Sequence, residues 1–390
     1  MTTGVDRVFL VPSGYNFRAV LAFCRALRKA GLSPAILACT AADPIFRTRY
    51  SGDVVFTRAD KTLRVADFSA ATAAALARTR AKRCVLAPTA EYLVRWALQN
   101  RQALEIAGCD LPLPDESAYF CVTEKAAFAQ LCKSQGLPIP NELPIASEAN
   151  LPCVAKPRWN VSPSGRSLSP RLLRTKSDLA AFAVEERIED FFIQEWVEGT
   201  SFYLLFHLPK NGPAVISSQQ NIAQQFGGKS IVLARSATLH LGPEAAKWER
   251  ALRTARFHGL VMVEVRQRGD EYVLIEANPR LWGPLQLCVD ACPRLLMSYI
   301  AEFSEVLSPL AKKGFQDRAA TYTWIGGVGT GMVDWHQARP SFPRLSLWRH
   351  LYADVYFQRD SWRQFFHELS RSPKAVAQTV PDRSTLVPAA

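Results

Sequence analysis

The sequence predicts an α/β protein in which a parallel, doubly wound sheet comes first and a larger α+β region follows. Short apolar runs alternate with amphipathic, Ala-rich stretches over residues 7–105, and this alternation is typical of parallel sheets flanked by helices. Two apolar runs separated by the polar turn QRGDE occur within residues 259–283, and this pattern indicates a β-hairpin.

The N-terminal elements follow from the apolar runs and from the residues that end them. An amphipathic helix is predicted from about Phe17 to Ala30, with Gly31 ending it. The first turn lacks the pattern G-x-G-x-x-G, which argues against a dinucleotide site there. The predicted strands are residues 7–11, the run SPAILAC at 33–39, Val54–Thr57 and Cys84–Ala87.

A Pro-rich stretch, AGCDLPLPDES at 107–117, predicts a domain boundary. A helix from Thr123 to Gln135 follows, with Thr123 as its N-terminal cap. Beyond it, the predicted strands are Val154–Lys156, the runs FFIQEWVEG and SFYLLFHL joined at Gly199, and a pair within 211–240 around the turn QFGGKS.

Composition and charge limit the classes of function. The chain has 390 residues, 48% hydrophobic and 21% charged, which suits a globular protein of two or three domains. Its N-terminus does not resemble a signal peptide, and no apolar run approaches the roughly 20 residues that span a bilayer, so we expect a cytoplasmic protein. Nine scattered cysteines without a C-x-x-C pair are expected to be buried free thiols.

The net charge of +12 leaves three partner classes open: nucleic acid, an acidic polymer or membrane surface, and anionic small molecules. The Arg and Lys residues are dispersed, and the sequence contains no nucleic-acid-binding module. Anionic nucleotide and substrate are therefore favoured.

The hairpin carries a candidate metal site. Glu264 and Glu276 lie on its two strands, and Asn278 lies two residues beyond the second carboxylate. Side chains two apart in a strand share a face, and two carboxylates with an amide oxygen suit Mg²⁺. Arg280 follows on the same parity, where a guanidinium is suited to phosphate. A hairpin with an exposed polar face is the simpler alternative, although the Pro, Trp and Gly that follow indicate a shaped loop.

Further polar positions precede the hairpin in a characteristic order. Lys125 opens a helix, Lys156 ends the strand CVAK, the loop SPSGR at 162–166 has amides that could wrap phosphate, and QEWVEG comes next. In this order and spacing the residues resemble the ATP-grasp superfamily. The resemblance implies an ATP site formed by Lys125, Lys156, Ser164, Gly165, Arg166, Glu195, Trp196, Val197 and Glu198, and a site for Mg²⁺, or Mn²⁺ in its place, formed by Glu264, Glu276 and Asn278.

The resemblance covers about residues 118–300, and FGGKS, FHGLVMVEV and EANPRLWGPLQL are similar to D-aspartate-ligase-like and carbamoyl-phosphate-synthase-like carboligases. It implies a Rossmann-like domain at 1–112, an ATP-grasp domain at 113–305 with a lid subdomain at about 123–195, and a C-terminal extension at 306–390. Within the extension the stretch 348–369 is aromatic and basic, and it is expected to be a helix packed on the core, or alternatively a membrane-surface or partner-docking helix. Pro284 stands where the family commonly has Ser.

The resemblance also implies a reaction. ATP activates a small carboxylate, possibly of an amino acid, as an acyl phosphate, and an amine then displaces phosphate, which makes the protein a C–N ligase that forms ADP. Such enzymes are often dimers. Arg280, Arg235 and Lys229 are the candidate catalytic residues, although an exposed charge beside a turn explains Lys229 equally well. A non-amine acceptor, phosphorylation without ligation, and a nucleotide-binding regulator stay open as alternatives.

Overall fold

The computed structural model describes residues 6–144, 147–158, 168–226, 228–303, 316–328, 333–335, 344–358 and 360–370. These residues form three sheets with helices packed on them. The predicted fold class is confirmed: a parallel sheet comes first and antiparallel sheets follow.

The first sheet is parallel throughout, and over the described residues its five strands have the order β3-β2-β1-β4-β5. Alternate residues of β1 enter different cores, because Phe9 and Val11 pack on one side of the sheet and Val8 and Leu10 on the other. Gly31 ends the first helix with φ of +77°, as predicted. The elements are β1 (Arg7–Pro12), α1 (Phe17–Lys29), β2 (Ala35–Ala38), β3 (Val54–Thr57), α2 (Val65–Thr79), β4 (Arg83–Leu86), α3 (Glu91–Gln99), α4 (Arg101–Ile106) and β5 (Cys109–Asp110).

Two short helices and a small sheet follow. The predicted cap at Thr123 is wrong: its hydroxyl donates to the carbonyl of Tyr119 at 3.1 Å within the preceding helix, and the next helix begins after Glu124. In the described part of the chain the small sheet has four strands in the order β6-β9-β7-β8. The elements are α5 (Glu116–Thr123), α6 (Lys125–Ser134), β6 (Glu142–Leu143), β7 (Cys153–Pro157), β8 (Arg171–Leu173), α7 (Lys176–Glu185) and β9 (Phe191–Glu195).

A large antiparallel sheet forms the centre of the chain. Within the described residues its main path is β14-β13-β10-β11-β12-β15, and β16 pairs with β11. The predicted hairpin is confirmed, and its strands extend beyond the predicted runs. The elements are β10 (Thr200–Leu208), β11 (Val215–Gln225), β12 (Ile231–Ala237), α8 (Pro243–Thr254), β13 (Gly259–Arg268), β14 (Glu271–Asn278), α9 (Leu285–Ala291) and α10 (Pro293–Glu302).

The sequence predicted a helical C-terminal region, whereas the structure shows both helices and strands there. Its two described strands join the large sheet and have three residues each, and strands of this length are too short to show a hydrophobic periodicity in the sequence. The basic aromatic stretch forms two helices instead of one. The elements are β15 (Thr321–Thr323), α11 (Ile325–Val328), β16 (Val333–Trp335), α12 (Arg344–Tyr352) and α13 (Trp362–Ser370). Of the described helices, none is both long and apolar enough to cross a bilayer. All nine cysteines are free, and eight are buried.

One hydrophobic core joins the start and the end of the chain. It contains one face of β1 and α1 together with α9, α10 and residues of the C-terminal region. At its edge the buried Arg25 of α1 forms a two-bond ion pair with Asp360, at 2.8 and 2.7 Å. Its remaining donors bind Gln286, the carbonyl of Val355 and Ser361. Arg25 therefore connects the N-terminal sheet to the C-terminal region.

We predict that Arg25→Met destabilises the fold by roughly 3–5 kcal/mol, because it leaves the carboxylate of Asp360 without its cation. Urea denaturation followed by circular dichroism measures the change. Arg64→Met is the matched control, since Arg64 pairs with Asp60 at 2.7 Å on the surface, and it should barely move the midpoint. Equal effects of the two substitutions would contradict the role assigned to Arg25.

Candidate functional site

A cavity of about 660 Å³ lies between the small sheet and the large sheet. Its walls come from β7 and β8, from the segment between β9 and β10, and from the hairpin β13–β14. We call this cavity the first compartment. Its charged lining residues are Lys156, Arg174, Glu195, Glu198, Glu264, Arg266, Glu276 and Asp334.

A second cavity, of about 500 Å³, adjoins the first, and we call it the second compartment. The two share Gln224, Gly228, Glu264 and Glu276 as lining residues. The remaining walls of the second compartment come from the starts of α1 and α3, from Tyr203 and Met262 of the large sheet, from the turn at 228–231 and from the segment 278–284 at the end of the hairpin. The two compartments thus meet at a pair of carboxylates.

The hairpin register places this carboxylate pair. Glu264 lies directly opposite Glu276, and a register shift follows it. The hydroxyl of Ser201 donates to Glu264 at 3.1 Å, and the amide of Asn278 donates to Glu276 at 2.6 Å. Burial, and then the charge of Glu276, raise the pKa of Glu264 from 4.5 to about 7. The sequence-based prediction that these three side chains lie together matches this geometry.

The donor set at the pair fits a hard cation. Its hydrogen bonds from described residues come from neutral groups, and the buried Glu264 faces the half-buried Glu276. Among the described residues no cluster of three or more His, Cys, Asp or Glu is placed to hold a metal. A Mg²⁺ ion at a nucleotide site needs only one or two carboxylates, because phosphates and water complete its shell. Glu264, Glu276 and Asn278 are therefore compatible with Mg²⁺ bound together with a phosphate-bearing ligand.

Lys156 enters the first compartment from β7. It is 9% exposed, and its Nζ donates to the carbonyl of Ile275 at 3.0 Å. Burial lowers the pKa of Lys156 from 10.5 to about 8; the charge of Glu276 opposes this shift, and the charge of Lys125 at the start of α6 adds to it. Lys156 therefore lies beside the carboxylate pair, whereas Lys125 lies near it but is absent from the described lining of both compartments.

The segment Glu195–Glu198 forms one wall of the first compartment. The carboxylate of Glu195 accepts from the backbone and side-chain nitrogens of Asn141, at 3.0 and 3.1 Å, and from Arg268 at 2.9 Å. Because the Glu195 carboxylate already accepts these three hydrogen bonds, a ligand in the cleft would contact the backbone of this segment instead of that side chain. Val197 is buried and Glu198 is exposed at the cleft.

Arg266 is a cleft residue that the sequence reasoning missed. Its guanidinium lies 4.6 Å from the ring centre of Trp196, and burial lowers its pKa. A signal was present, since Arg266 lies two residues after Glu264 in an apolar run and shares its face. The Trp196–Arg266 stack closes one side of the first compartment.

The three predicted catalytic residues have different surroundings. Arg280 lines the second compartment and donates to the carbonyl of Leu281 at 3.1 Å. Lys229 lines it as well and is exposed. Arg235 is absent from the described lining of both compartments: it is exposed and donates to Gln220 at 2.8 Å. Its place in an apolar strand reflects sheet pairing with Thr321 of β15.

Three predicted ATP-binding residues, Ser164, Gly165 and Arg166, lie outside the described residues. Four second-compartment residues come from the N-terminal part of the chain: Asn16, Arg18, Ala90 and Glu91. The available signal was their position just after the strands β1 and β4, because α/β folds bind ligands at the carboxyl ends of strands.

No protein-family model matches the sequence, and no curated protein matches it in sequence. Solved structures do match in shape. The ADP complex of PurK, an N5-carboxyaminoimidazole ribonucleotide synthetase, aligns with a TM-score of 0.55 at 14% identity, over 83% of this chain and 84% of that one. Biotin carboxylase from Campylobacter jejuni, in complex with β-γ-ATP, aligns with a TM-score of 0.53 at 12% identity, over 80% and 72%.

These two proteins are ATP-grasp enzymes, and their order of sheets is the order found here. This chain has the ATP-grasp fold. Pyruvate carboxylase from Rhizobium etli aligns with a TM-score of 0.55 at 15% identity over 76% of this chain, which spans only 29% of that protein's length. At these identities the ATP-grasp fold alone is established, and the closer likeness to D-aspartate-ligase-like carboligases stays a prediction.

We predict that Glu264→Gln stabilises the metal-free protein at pH 8. Folding raises the pKa of Glu264 from 4.5 to about 7. The ionised carboxylate therefore destabilises the folded state, and this destabilisation reaches its full size above pH 7. This penalty shrinks as the pH falls from 7 toward 4.5. Calorimetry in EDTA should show a Tm about 2–5 °C above wild type at pH 8, with more than half of the difference gone at pH 5.

Glu198→Gln is the control for this experiment, since Glu198 is exposed in the same compartment. It should change the Tm little at either pH. A Glu264→Gln protein that is less stable than wild type at pH 8 would show that the carboxylate pair is not strained.

Proposed function

We propose that this protein is an ATP-dependent ligase that activates a small carboxylate as an acyl phosphate and couples it to an amine, releasing ADP and phosphate. The observation that carries the proposal is the carboxylate pair Glu264–Glu276 at the junction of two compartments, with the buried Lys156 beside it. Structures with the same fold support it. PurK was crystallised with ADP, and the biotin carboxylase domain of Hydrogenobacter thermophilus 2-oxoglutarate carboxylase with MgADP and bicarbonate.

In this proposal the first compartment holds ATP. Its volume of about 660 Å³ lies within the range of nucleotide-sized pockets. Lys156 and Lys125 bind the phosphates, and the backbone at Glu195–Val197 binds the adenine beside Trp196. Glu198 binds the ribose, since its carboxylate is exposed at the cleft and has no hydrogen bond to a described residue.

Mg²⁺ would be held by Glu264, Glu276 and Asn278, where the two compartments meet. When bound, it would neutralise part of the triphosphate charge. Proximity and orientation account for much of the remaining rate, because two anions must be brought together. The low dielectric around the buried Glu264 and Lys156 strengthens the attraction that Lys156 and Arg280 exert on these anions.

The second compartment holds the carboxylate substrate. An oxygen of that carboxylate attacks the γ-phosphorus of ATP, the bond to the bridging oxygen breaks, and ADP leaves. The amine then attacks the acyl carbon, phosphate departs with the bonding electrons, and the amine releases a proton to solvent. No covalent bond to the protein is needed, and the site offers no Ser–His or Cys–His pair among its described lining residues.

A release assay distinguishes the alternatives. The protein is incubated with MgATP and pools of carboxylates, bicarbonate included, with and without pools of amines, and ADP and phosphate are measured. Release that requires both pools supports the ligase. Release with carboxylate alone indicates a different acceptor, and nucleotide binding without release under any pairing indicates a regulator.

Glu276→Gln is predicted to lower the rate of ADP formation on the order of 10²–10³-fold, because it removes a charge from the metal site. Circular dichroism should show an unchanged fold. Glu271→Gln, on the same strand but with a 60% exposed side chain, is the matched control and should keep wild-type turnover. Near-normal turnover of a folded Glu276→Gln protein would refute the metal site.

Glu198→Ala is predicted to raise the KM for ATP roughly tenfold and to leave kcat within about twofold, since a ribose contact is similar in the ground and transition states. Initial rates over an ATP series measure both constants. Glu142→Ala, at an exposed residue of the neighbouring small sheet, should change neither. A large fall in kcat at saturating ATP would show that Glu198 has another role.

A further inference from the structure

Arg18 is a buried cation that the proposed chemistry does not use. It lies in the first turn of α1, is 8% exposed, and lines the second compartment. The N-terminal sheet thus contributes a guanidinium to a cavity that is built mainly from later parts of the chain.

Three distant segments hold the plane of this guanidinium. Its Nη1 donates to the carbonyl of Ile231 at 3.0 Å and to the hydroxyl of Tyr322 at 3.1 Å. The guanidinium carbon lies 3.9 Å from the ring centre of Trp324. A side-chain carbon added at Gly283 would lie 3.1 Å from Nη2, so the backbone approaches there closely. Arg18 therefore has one orientation fixed before any ligand arrives.

Arg25 provides an internal comparison. It lies two helical turns from Arg18 on α1, and it is 7% exposed against 8% for Arg18. Arg25 has a carboxylate partner in Asp360, whereas Arg18 forms no ion pair with any described residue. The Glu368 carboxylate beside Trp324 accepts from the indole instead, at 2.9 Å. The charge of Glu368 interacts with Arg18, but Glu368 accepts no hydrogen bond from Nη2. Since a buried charge is costly unless it is paired, an anion bound at Nη2 would stabilise Arg18 further.

The free edge of Arg18 lies toward the second compartment. Nη2 donates no hydrogen bond to a described residue, and Gly283, which it approaches, is itself a lining residue. An edge of a guanidinium with two N–H groups matches a carboxylate in a two-bond geometry. Ile231, Met262 and Trp282 add apolar wall to the same compartment, which suits a short methylene chain.

We propose that Arg18 binds a second carboxylate of the acid substrate, so that the enzyme takes a short dicarboxylate, activates one end beside Glu264 and Glu276, and holds the other end at Arg18. This inference rests on the proposed function and names its substrate class. Arg18 is then a specificity-determining residue that touches the substrate and does not touch the reacting phosphate.

Binding to the whole protein tests this without knowledge of the natural substrate. With the non-hydrolysable analogue AMPPNP and Mg²⁺ bound, titration calorimetry compares malonate, succinate and glutarate with acetate, propionate, butyrate and the matching phosphonocarboxylates. We expect one dicarboxylate to bind at least about tenfold more tightly than the monocarboxylate of equal length. Arg18→Gln should remove that preference, and Arg18→Lys should restore part of it.

Arg28→Gln is the matched control, because Arg28 lies on the same helix and pairs with Asp53 at 2.7 Å. It should keep the full preference. No dicarboxylate preference in the wild-type protein, or a preference that survives Arg18→Gln, would overturn the inference. A phosphonocarboxylate that binds best would overturn the dicarboxylate assignment as well.

Gly283→Ala is a second variant for the case in which Arg18→Gln does not fold. The added methyl group would displace Nη2 by a few tenths of an ångström and keep the charge and its buried contacts. It should weaken dicarboxylate binding severalfold and leave monocarboxylate binding unchanged. Equal effects on both acids would count against a carboxylate bound at Nη2.

Nucleotide binding separates a failure of this inference from a failure of the proposed function. A wild-type protein that binds no Mg²⁺–AMPPNP refutes the ligase and the inference together. A protein that binds the nucleotide but shows no preference between dicarboxylate and monocarboxylate refutes the inference alone.

Discussion

Two carboxylates lie opposite each other where the two compartments of the cleft meet, and their repulsion is the constraint that the surrounding structure must offset. The register of β13 and β14 forces Glu264 and Glu276 together, and burial with that contact raises the pKa of Glu264 to about 7. A shift of this size corresponds to a destabilisation on the order of 3 kcal/mol, which the rest of the fold must offset. A bound cation would reduce the repulsion between the two carboxylates. The two carboxylates also favour the charged form of the neighbouring Lys156.

The strand that carries the strain is anchored on its other face. Val261, Val263 and Val265 of β13 pack into the core beneath α8, and the opposite face begins apolar at Leu260 and Met262. That face becomes charged at Glu264 and Arg266, where the sheet stops being covered by helices and lines the cleft. The change from apolar to charged along one face therefore marks the floor of the site, and the continuous apolar face behind it stabilises the strand.

The sequence predicted those features that depend on neighbouring residues, such as side chains that share a strand face and the residue that ends a helix. Period-two spacing placed Glu276 beside Asn278, and Gly31 ended α1 where the pattern indicated. Two expectations failed where tertiary contacts decide. Thr123 bonds within the preceding helix, and the C-terminal region adds the strands β15 and β16, which pair with β12 and β11. The side chain of Arg235 donates to Gln220 and lies outside the described lining of both compartments, and its catalytic role stays a prediction. For Arg18 the sequence offered only its position after the first strand, because the groups that fix its orientation lie 213 and 304 positions away.

The same long-range contacts show why the second compartment depends on the whole chain. Its walls need the start of α1, the turn before β12 and the segment after the hairpin, and none of these closes a cavity alone. Arg25 and Arg18, both on α1, tie that helix to the C-terminal region and to the cleft, respectively. The position of α1 and the shape of the second compartment are thus coupled, because a helix that moved away from the core would carry both arginines with it. A substitution at the Arg25 contact would then reach the second compartment through the position of Arg18, without touching any other residue that lines either compartment.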